Sequence, residues 1–176
     1  MNRMKPFPLF ILTMALWVAG TPASAQTAPK TFANLDASGD AYTYFSLHKN
    51  AVVTVGDESA DAWDLAFKGA EIKVNGAARY VDEAFEDLDE APAEGYVKGD
   101  ALPGGSGDGW FLYQADVHVV IPVPDRVLVV KTKDGAYAKV QILSYYKDSP
   151  DGAPSGPARF YTFRYVLQPD GSRDFD

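Results

Sequence analysis

The chain has 176 residues but no cysteine, only two histidines and only three methionines, all three within the first 14 positions. Without thiols it has no disulfide framework, no cysteine-based zinc site and no cysteine nucleophile. Positive charge is also scarce, since 16 Lys and Arg residues stand against 24 Asp and Glu residues. An acidic chain repels nucleic-acid phosphates and anionic lipids, so we expect neither as a partner.

Motifs that would indicate catalysis are also missing. The sequence has no Gly-x-Ser-x-Gly motif, and the glycine-rich stretch 104–109 is not followed by the Lys-Ser or Lys-Thr of a phosphate loop. The two histidines, His48 and His118, are too far apart in sequence to form a short zinc-binding motif. We therefore expect a binding protein and not an enzyme.

The N-terminus resembles a secretory signal peptide. Arg3 and Lys5 precede an apolar stretch at 10–19, which is too short for a transmembrane helix. Small residues at 23–25 match the requirements of a signal peptidase, so cleavage is predicted after Ala25.

The predicted cleavage changes the composition of the remaining chain. It removes two basic residues and every methionine, which leaves 14 basic and 24 acidic residues and a formal charge of −10. No cysteine follows the predicted cleavage site, so we expect a soluble, non-lipidated protein of the periplasm or the exterior, with no membrane insertion. Residues 26–30 are predicted to be a flexible leader, and 31–176 a single domain.

The predicted domain is all-β and mostly antiparallel, with at most one short helix. Aromatic and β-branched residues alternate with polar ones in short runs, and turn residues separate these runs. Asp134-Gly135 is a strong hairpin signal, and Val81, Phe85 and Leu88 have the spacing of a short helix. The predicted strands are 41–49, 51–56, 62–69, 71–76, 110–121, 126–133, 136–146 and 158–168.

Candidate ligand-binding residues are few. His118 falls in the predicted strand 110–121, where it is either an exposed, hydrogen-bonded side chain or a metal ligand. A haem iron could take His48, His118, a tyrosinate or a lysine from this chain, because cysteine is absent and the predicted cleavage removes every methionine. Trp110 and Tyr113 either belong to the core or line a flat apolar pocket for a porphyrin-like ligand.

Several strings together resemble the HmuY family, in the same order and over about Thr31 to Gly171. The most specific are residues 63–67 and the segment from Lys139 to Tyr146. The strings are YFSL (44–47), AWDLAFKGAEIKVNG (62–76), RVLVVKTKDGAYAKVQILSYY (126–146) and FYTFRYVLQPDG (160–171).

The resemblance implies an all-β haem-binding protein of a bacterial envelope. It further implies a hemophore-like role, with a TonB-dependent outer-membrane receptor and haem-carrying donor proteins as partners. His118 follows Trp110 by eight residues, near the place of one histidine ligand in the family, and residues 76–109 contain no histidine for the other. The family's ligand pair therefore does not transfer, and we expect haem in an aromatic-lined cleft with His118 as axial ligand, helped by His48 or a tyrosine. The alternative is an interaction module on the same scaffold that has lost iron ligation.

Overall fold

The computed structural model describes residues 28–54, 62–149 and 152–176, together with Met1. Residues 2–25 of the predicted signal peptide and residues 26 and 27 of the predicted leader lie outside the described residues. Lys30, assigned to the leader, is instead the first residue of a strand. The described residues contain no helix, so none of their elements is long and apolar enough to cross a membrane as a helix.

Twelve strands form two antiparallel sheets and one separate hairpin in the described part of the chain. The larger sheet has six strands in the order β1-β12-β11-β10-β6-β7, and the smaller has four in the order β3-β2-β4-β5. Strands β8 and β9 pair only with each other. The strands are β1 Lys30–Asp36, β2 Thr43–Ser46, β3 Ala51–Val52, β4 Leu65–Lys68, β5 Glu71–Val74, β6 Gly76–Asp82, β7 Val97–Lys98, β8 Phe111–Gln114, β9 Val119–Pro122, β10 Arg126–Thr132, β11 Tyr137–Tyr146 and β12 Ala158–Gln168.

The main core lies between the two sheets and consists largely of aromatic rings. Phe163 of β12 has no exposed surface and packs against Phe45 and Phe67 of the smaller sheet, with ring centroids 5.1 and 5.4 Å apart. Aromatic pairs at these separations stabilise a fold beyond the area that they bury. The alternation of large apolar side chains along β2, β4 and β12 therefore holds the two sheets together.

The six-stranded sheet is also covered on its other face. A second cluster joins Val127 and Val129 of β10 to Phe85 and to Phe175 near the C-terminus. This explains the nearly continuous apolar run of β10, because a strand that is buried on both faces does not alternate.

The predicted helix near Phe85 does not form. Strand β6 extends to Asp82, and only a single turn follows, in which the N–H groups of Asp87 and Leu88 both donate to the carbonyl of Ala84. The apolar residues have helical spacing because this turn lays Phe85 and Leu88 on the sheet, where both are buried.

Candidate functional site

The segment 110–121 is not one strand, as its alternation predicts, but a hairpin. β8 and β9 pair in antiparallel register, and Tyr113 lies opposite Val120. The chain reverses over residues 115–118, where His118 has a φ of +54°. Histidine is among the residues that occupy this left-handed region more often than most. The turn therefore removes His118 from a strand and carries it back toward β8.

The turn brings Tyr113 and His118 together. The Tyr113 hydroxyl lies 2.6 Å from Nδ1 of His118, and the ring centroids are 6.2 Å apart. With the imidazole proton on Nε2, the phenol donates to Nδ1. This contact joins two candidate ligands that the sequence analysis identified separately.

The hairpin that carries the pair is exposed to solvent. Three of its large apolar side chains, Leu112, Tyr113 and Val117, have exposed fractions of 43, 45 and 62%, which is unusual for large apolar side chains in this structure. Leu112 and Tyr113 are consecutive in β8 and therefore point to opposite faces of the hairpin, so each face offers apolar surface to a ligand or a partner.

The base of the hairpin is fixed to the domain. Val120 N–H donates to the hydroxyl of Tyr146, at the end of β11, over 2.9 Å. Tyr113 N–H donates to the Ser106 hydroxyl over 2.8 Å, and Val119 and Val120 pack partly against the main core. The Tyr113–His118 pair therefore stands on a rigid base.

Trp110 lies in the core. It is 5% exposed, its Nε1 donates to the carbonyl of Ala70 over 2.9 Å, and its ring lies 5.2 Å from that of Tyr161. One edge of Trp110 borders a cavity of about 430 Å³ next to β5 and the glycine-rich loop, and the lining of this cavity includes neither Tyr113 nor His118.

His48 lies at a different cavity, of about 340 Å³, which we call the His48 cavity. Its Nε2 is 3.2 Å from Oδ2 of Asp134, in the turn between β10 and β11. Its lining combines polar and charged side chains with the apolar Ala62 and Trp63, and consists of Ser46, His48, Lys49, Ala62, Trp63, Asp64, Asn75, Lys133 and Asp134.

The two histidines lie toward opposite ends of β11. His48 is paired with Asp134, just before β11 begins at Tyr137, whereas the hairpin of His118 is bonded to Tyr146 at its other end. Ten residues of strand span about 30 Å. The structure therefore does not place His48 and His118 on one iron. Nor do the described residues contain a group of three or more His, Asp or Glu side chains suited to a metal ion.

Asp64 is a buried carboxylate that the sequence analysis did not single out. It is 8% exposed and accepts a hydrogen bond of 2.7 Å from Leu47 N–H. Burial raises the pKa of Asp64 above its ordinary value of 3.8, while the hydrogen bond from Leu47 opposes that rise. The sequence feature that could have identified Asp64 is its position directly before the apolar strand β4.

The buried Asp64 carboxylate predicts a pH dependence of stability. Because its pKa is raised in the folded state, the wild type is most stable relative to Asp64→Asn below about pH 3.8, and this advantage declines as the pH rises through the folded pKa. Urea unfolding of both proteins across this range measures the difference. An advantage of the wild type that grows with rising pH would contradict this assignment.

Comparison with known proteins identifies the fold. No family model and no curated protein sequence matches the chain. Among solved structures, the apo HmuY analog of Tannerella forsythia is similar with a TM-score of 0.60 and 20% identity, over 82% of this chain and 98% of that one. The fold is that of the HmuY-like proteins.

Two further structures have this HmuY-type fold. A protein of Bacteroides vulgatus described as HmuY-like and heme-binding has a TM-score of 0.55 and 22% identity, over 79% of this chain and 91% of its own. Apo PinO of Porphyromonas gingivitis has a TM-score of 0.58 and 17% identity, over 81% and 98%. The fold class and the resemblance predicted from the sequence are thus confirmed at the level of the HmuY-type fold.

Proposed function

We propose that this protein binds haem at the β8–β9 hairpin, with Tyr113 as iron ligand and His118 as the base beside it. The observation that carries the proposal is the 2.6 Å contact between the Tyr113 hydroxyl and Nδ1 of His118, on a hairpin with exposed apolar side chains. The HmuY-type fold supports it, because relatives in structure include a protein described as heme-binding.

The residues of the hairpin suit the chemistry of haem. A phenolate oxygen is an established axial ligand of haem iron, and an imidazole nitrogen that accepts the phenol proton makes the phenolate available. The bound haem would supply the ferric iron that the phenolate oxygen holds. The exposed side chains of Tyr113 and Val117 offer apolar surface of the kind that a porphyrin face requires.

His48 and Trp110 take other roles in this proposal. His48 lies near the far end of β11, paired with Asp134, so it does not serve the same iron. Trp110 supports the hairpin from the core and does not stack on the porphyrin, because 95% of its surface is buried and its indole nitrogen is bonded to Ala70.

We further propose a non-enzymatic, hemophore-like role outside the cytoplasm. The signal-peptide features and the absence of cysteine support export without lipidation to the periplasm or the exterior. The resemblance to HmuY supports transfer of haem from a donor protein to a TonB-dependent receptor. Exposure of the hairpin suits such transfer, because a ligand held at the surface can pass directly between proteins.

Comparing two porphyrins tests haem binding through iron. Purified protein is titrated with hemin and, separately, with metal-free protoporphyrin IX, and both titrations are followed by absorption. Because only hemin can accept the Tyr113 oxygen, we expect a shifted Soret band and binding at least about tenfold tighter for hemin. Equal affinity for the two porphyrins would contradict iron ligation and favour an interaction module that has lost it.

A further inference from the structure

Lys139 is a buried cation without a carboxylate in direct contact. It lies in β11, is 5% exposed, and its Nζ donates hydrogen bonds of 2.9 Å to the carbonyls of Phe85 and Leu88. Among the described residues, no carboxylate oxygen lies within 4 Å of this nitrogen. The rings of Phe85 and Phe175 lie beneath it, with centroids at 4.8 and 5.4 Å.

These contacts compensate the charge only in part. An ammonium group has three N–H donors, and the two carbonyls use two of them. Burial of a charge is costly unless an opposite charge or further hydrogen bonds offset it, and burial lowers the pKa of Lys139. The two carbonyls explain how Lys139 holds the turn near Phe85 on the sheet. The carboxylates of Asp89, Asp176 and Glu86 act on its charge only from beyond 4 Å.

A cavity of about 390 Å³, which we call the Lys139 cavity, lies beside this ammonium. Arg164 of β12 is a second cation in its lining, with its guanidinium 4.2 Å above the ring of Phe85 and Nη1 2.6 Å from Glu86. The lining residues combine two cations with apolar walls and two acidic side chains, and are Ala28, Pro29, Phe85, Glu86, Lys139, Arg164, Val166, Phe175 and Asp176.

This combination selects for one class of ligand. Volumes of a few hundred Å³ are typical of small-molecule sites, in which apolar walls carry most of the contact and a few polar groups orient the ligand. A ligand carboxylate would supply the direct anionic contact that Lys139 lacks, and a hydrocarbon body would cover Phe85, Val166 and Phe175.

We propose that the Lys139 cavity binds a small amphipathic carboxylate, with its head group at Lys139 and Arg164 and its apolar part against the phenylalanines. The site is separate from the haem hairpin. Phe85, Val166 and Phe175 belong to the cluster on one face of the six-stranded sheet, whereas Val119 and Val120 of the hairpin pack on the core at its other face. Carboxylate binding at the Lys139 cavity therefore does not depend on haem binding at the hairpin.

Octanoate is a suitable probe, and 1-octanol is its uncharged counterpart. Binding is measured by calorimetry and by the NMR shifts of the residues that line the cavity. We expect saturable octanoate binding to the wild type at millimolar concentration, and a loss of about tenfold in Arg164→Gln, because a charge-assisted hydrogen bond is removed. Arg173→Gln is the matched control, since Arg173 forms a comparable ion pair with Glu90, at 2.5 Å, outside this cavity.

Lys139→Met provides a second variant that keeps the length of the side chain and removes its charge. We expect this variant, where it folds, to lose octanoate binding while its affinity for octanol is unchanged. If it does not fold, Arg164→Gln decides the question, because the Arg164 side chain is 26% exposed and stands at the edge of the site. Absence of octanoate binding, equal affinity for octanol, or equal losses in Arg164→Gln and Arg173→Gln would each overturn the proposal.

Discussion

Replacing Tyr113 by phenylalanine should weaken hemin binding by about 100-fold or more. The substitution keeps the ring and its apolar contacts but removes the oxygen that we assign to the iron. Loss of a residue that merely supports a metal ligand typically costs 10- to 100-fold in affinity, so loss of the ligand itself should reach or exceed the upper figure. Absorption titration with hemin measures the change.

Two histidine variants complete this test. His118→Gln should weaken hemin binding by about 10- to 100-fold, because the base that accepts the phenol proton is removed while Tyr113 remains. His48→Gln should bind hemin as the wild type does, because His48 lies toward the other end of β11, paired with Asp134. A loss in His48→Gln as large as that in Tyr113→Phe would contradict the location of the site.

Replacing Phe163 by alanine should lower the free energy of unfolding by about 3–5 kcal/mol. Phe163 has no exposed surface and touches rings of both sheets, including Phe32, Phe45 and Phe67. The alanine variant leaves a cavity between the sheets that the neighbouring rings fill only in part. Urea unfolding followed by tryptophan fluorescence gives the difference.

Phe160→Ala is the matched control on the same strand. Phe160 is only partly buried, pairs with Asp36 of the edge strand β1, and carries Lys147 above its ring. We expect it to lose less than half as much stability as Phe163→Ala, because less apolar surface is removed from the interior. Equal losses would show that the contact between the sheets does not lie at Phe163.

Most strands and their hairpins could be predicted from the sequence, but β1 and β7 lie outside the predicted strands and β6 shares only Gly76 with one of them. Asp134-Gly135 marks the turn between β10 and β11, where Gly135 has a φ of +92°, and Asn50 marks the turn between β2 and β3 with a φ of +49°. These positions require left-handed backbone, which glycine and asparagine adopt at low cost. The residue types at the turns therefore indicate directly where the chain reverses.

The β8–β9 hairpin could not be predicted in the same way. Its turn reads Ala-Asp-Val-His, and no glycine, proline or asparagine interrupts the run from Trp110 to Ile121. In one extended strand, Tyr113 and His118 would lie about 17 Å apart. The 2.6 Å contact exists only because the chain reverses between them, and the sequence indicated both residues without indicating their contact.

Lys139 illustrates a second limit of sequence reasoning. In an alternating strand a lysine is expected to face solvent, because one face of an antiparallel sheet is commonly exposed. Here the turn around Phe85 and the C-terminal Phe175 cover that face, so Lys139 is buried. The covering residues are far from Lys139 in sequence, and no pattern within β11 indicates them.

The most direct test of the central claim is resonance Raman spectroscopy of the ferric haem complex, which reports whether a phenolate oxygen is bound to the iron. We predict phenolate vibrations in the wild type and in His48→Gln, and their disappearance in Tyr113→Phe. A wild-type complex without phenolate vibrations, or one whose iron ligation is unchanged in Tyr113→Phe, would contradict the assignment of the β8–β9 hairpin as the haem site.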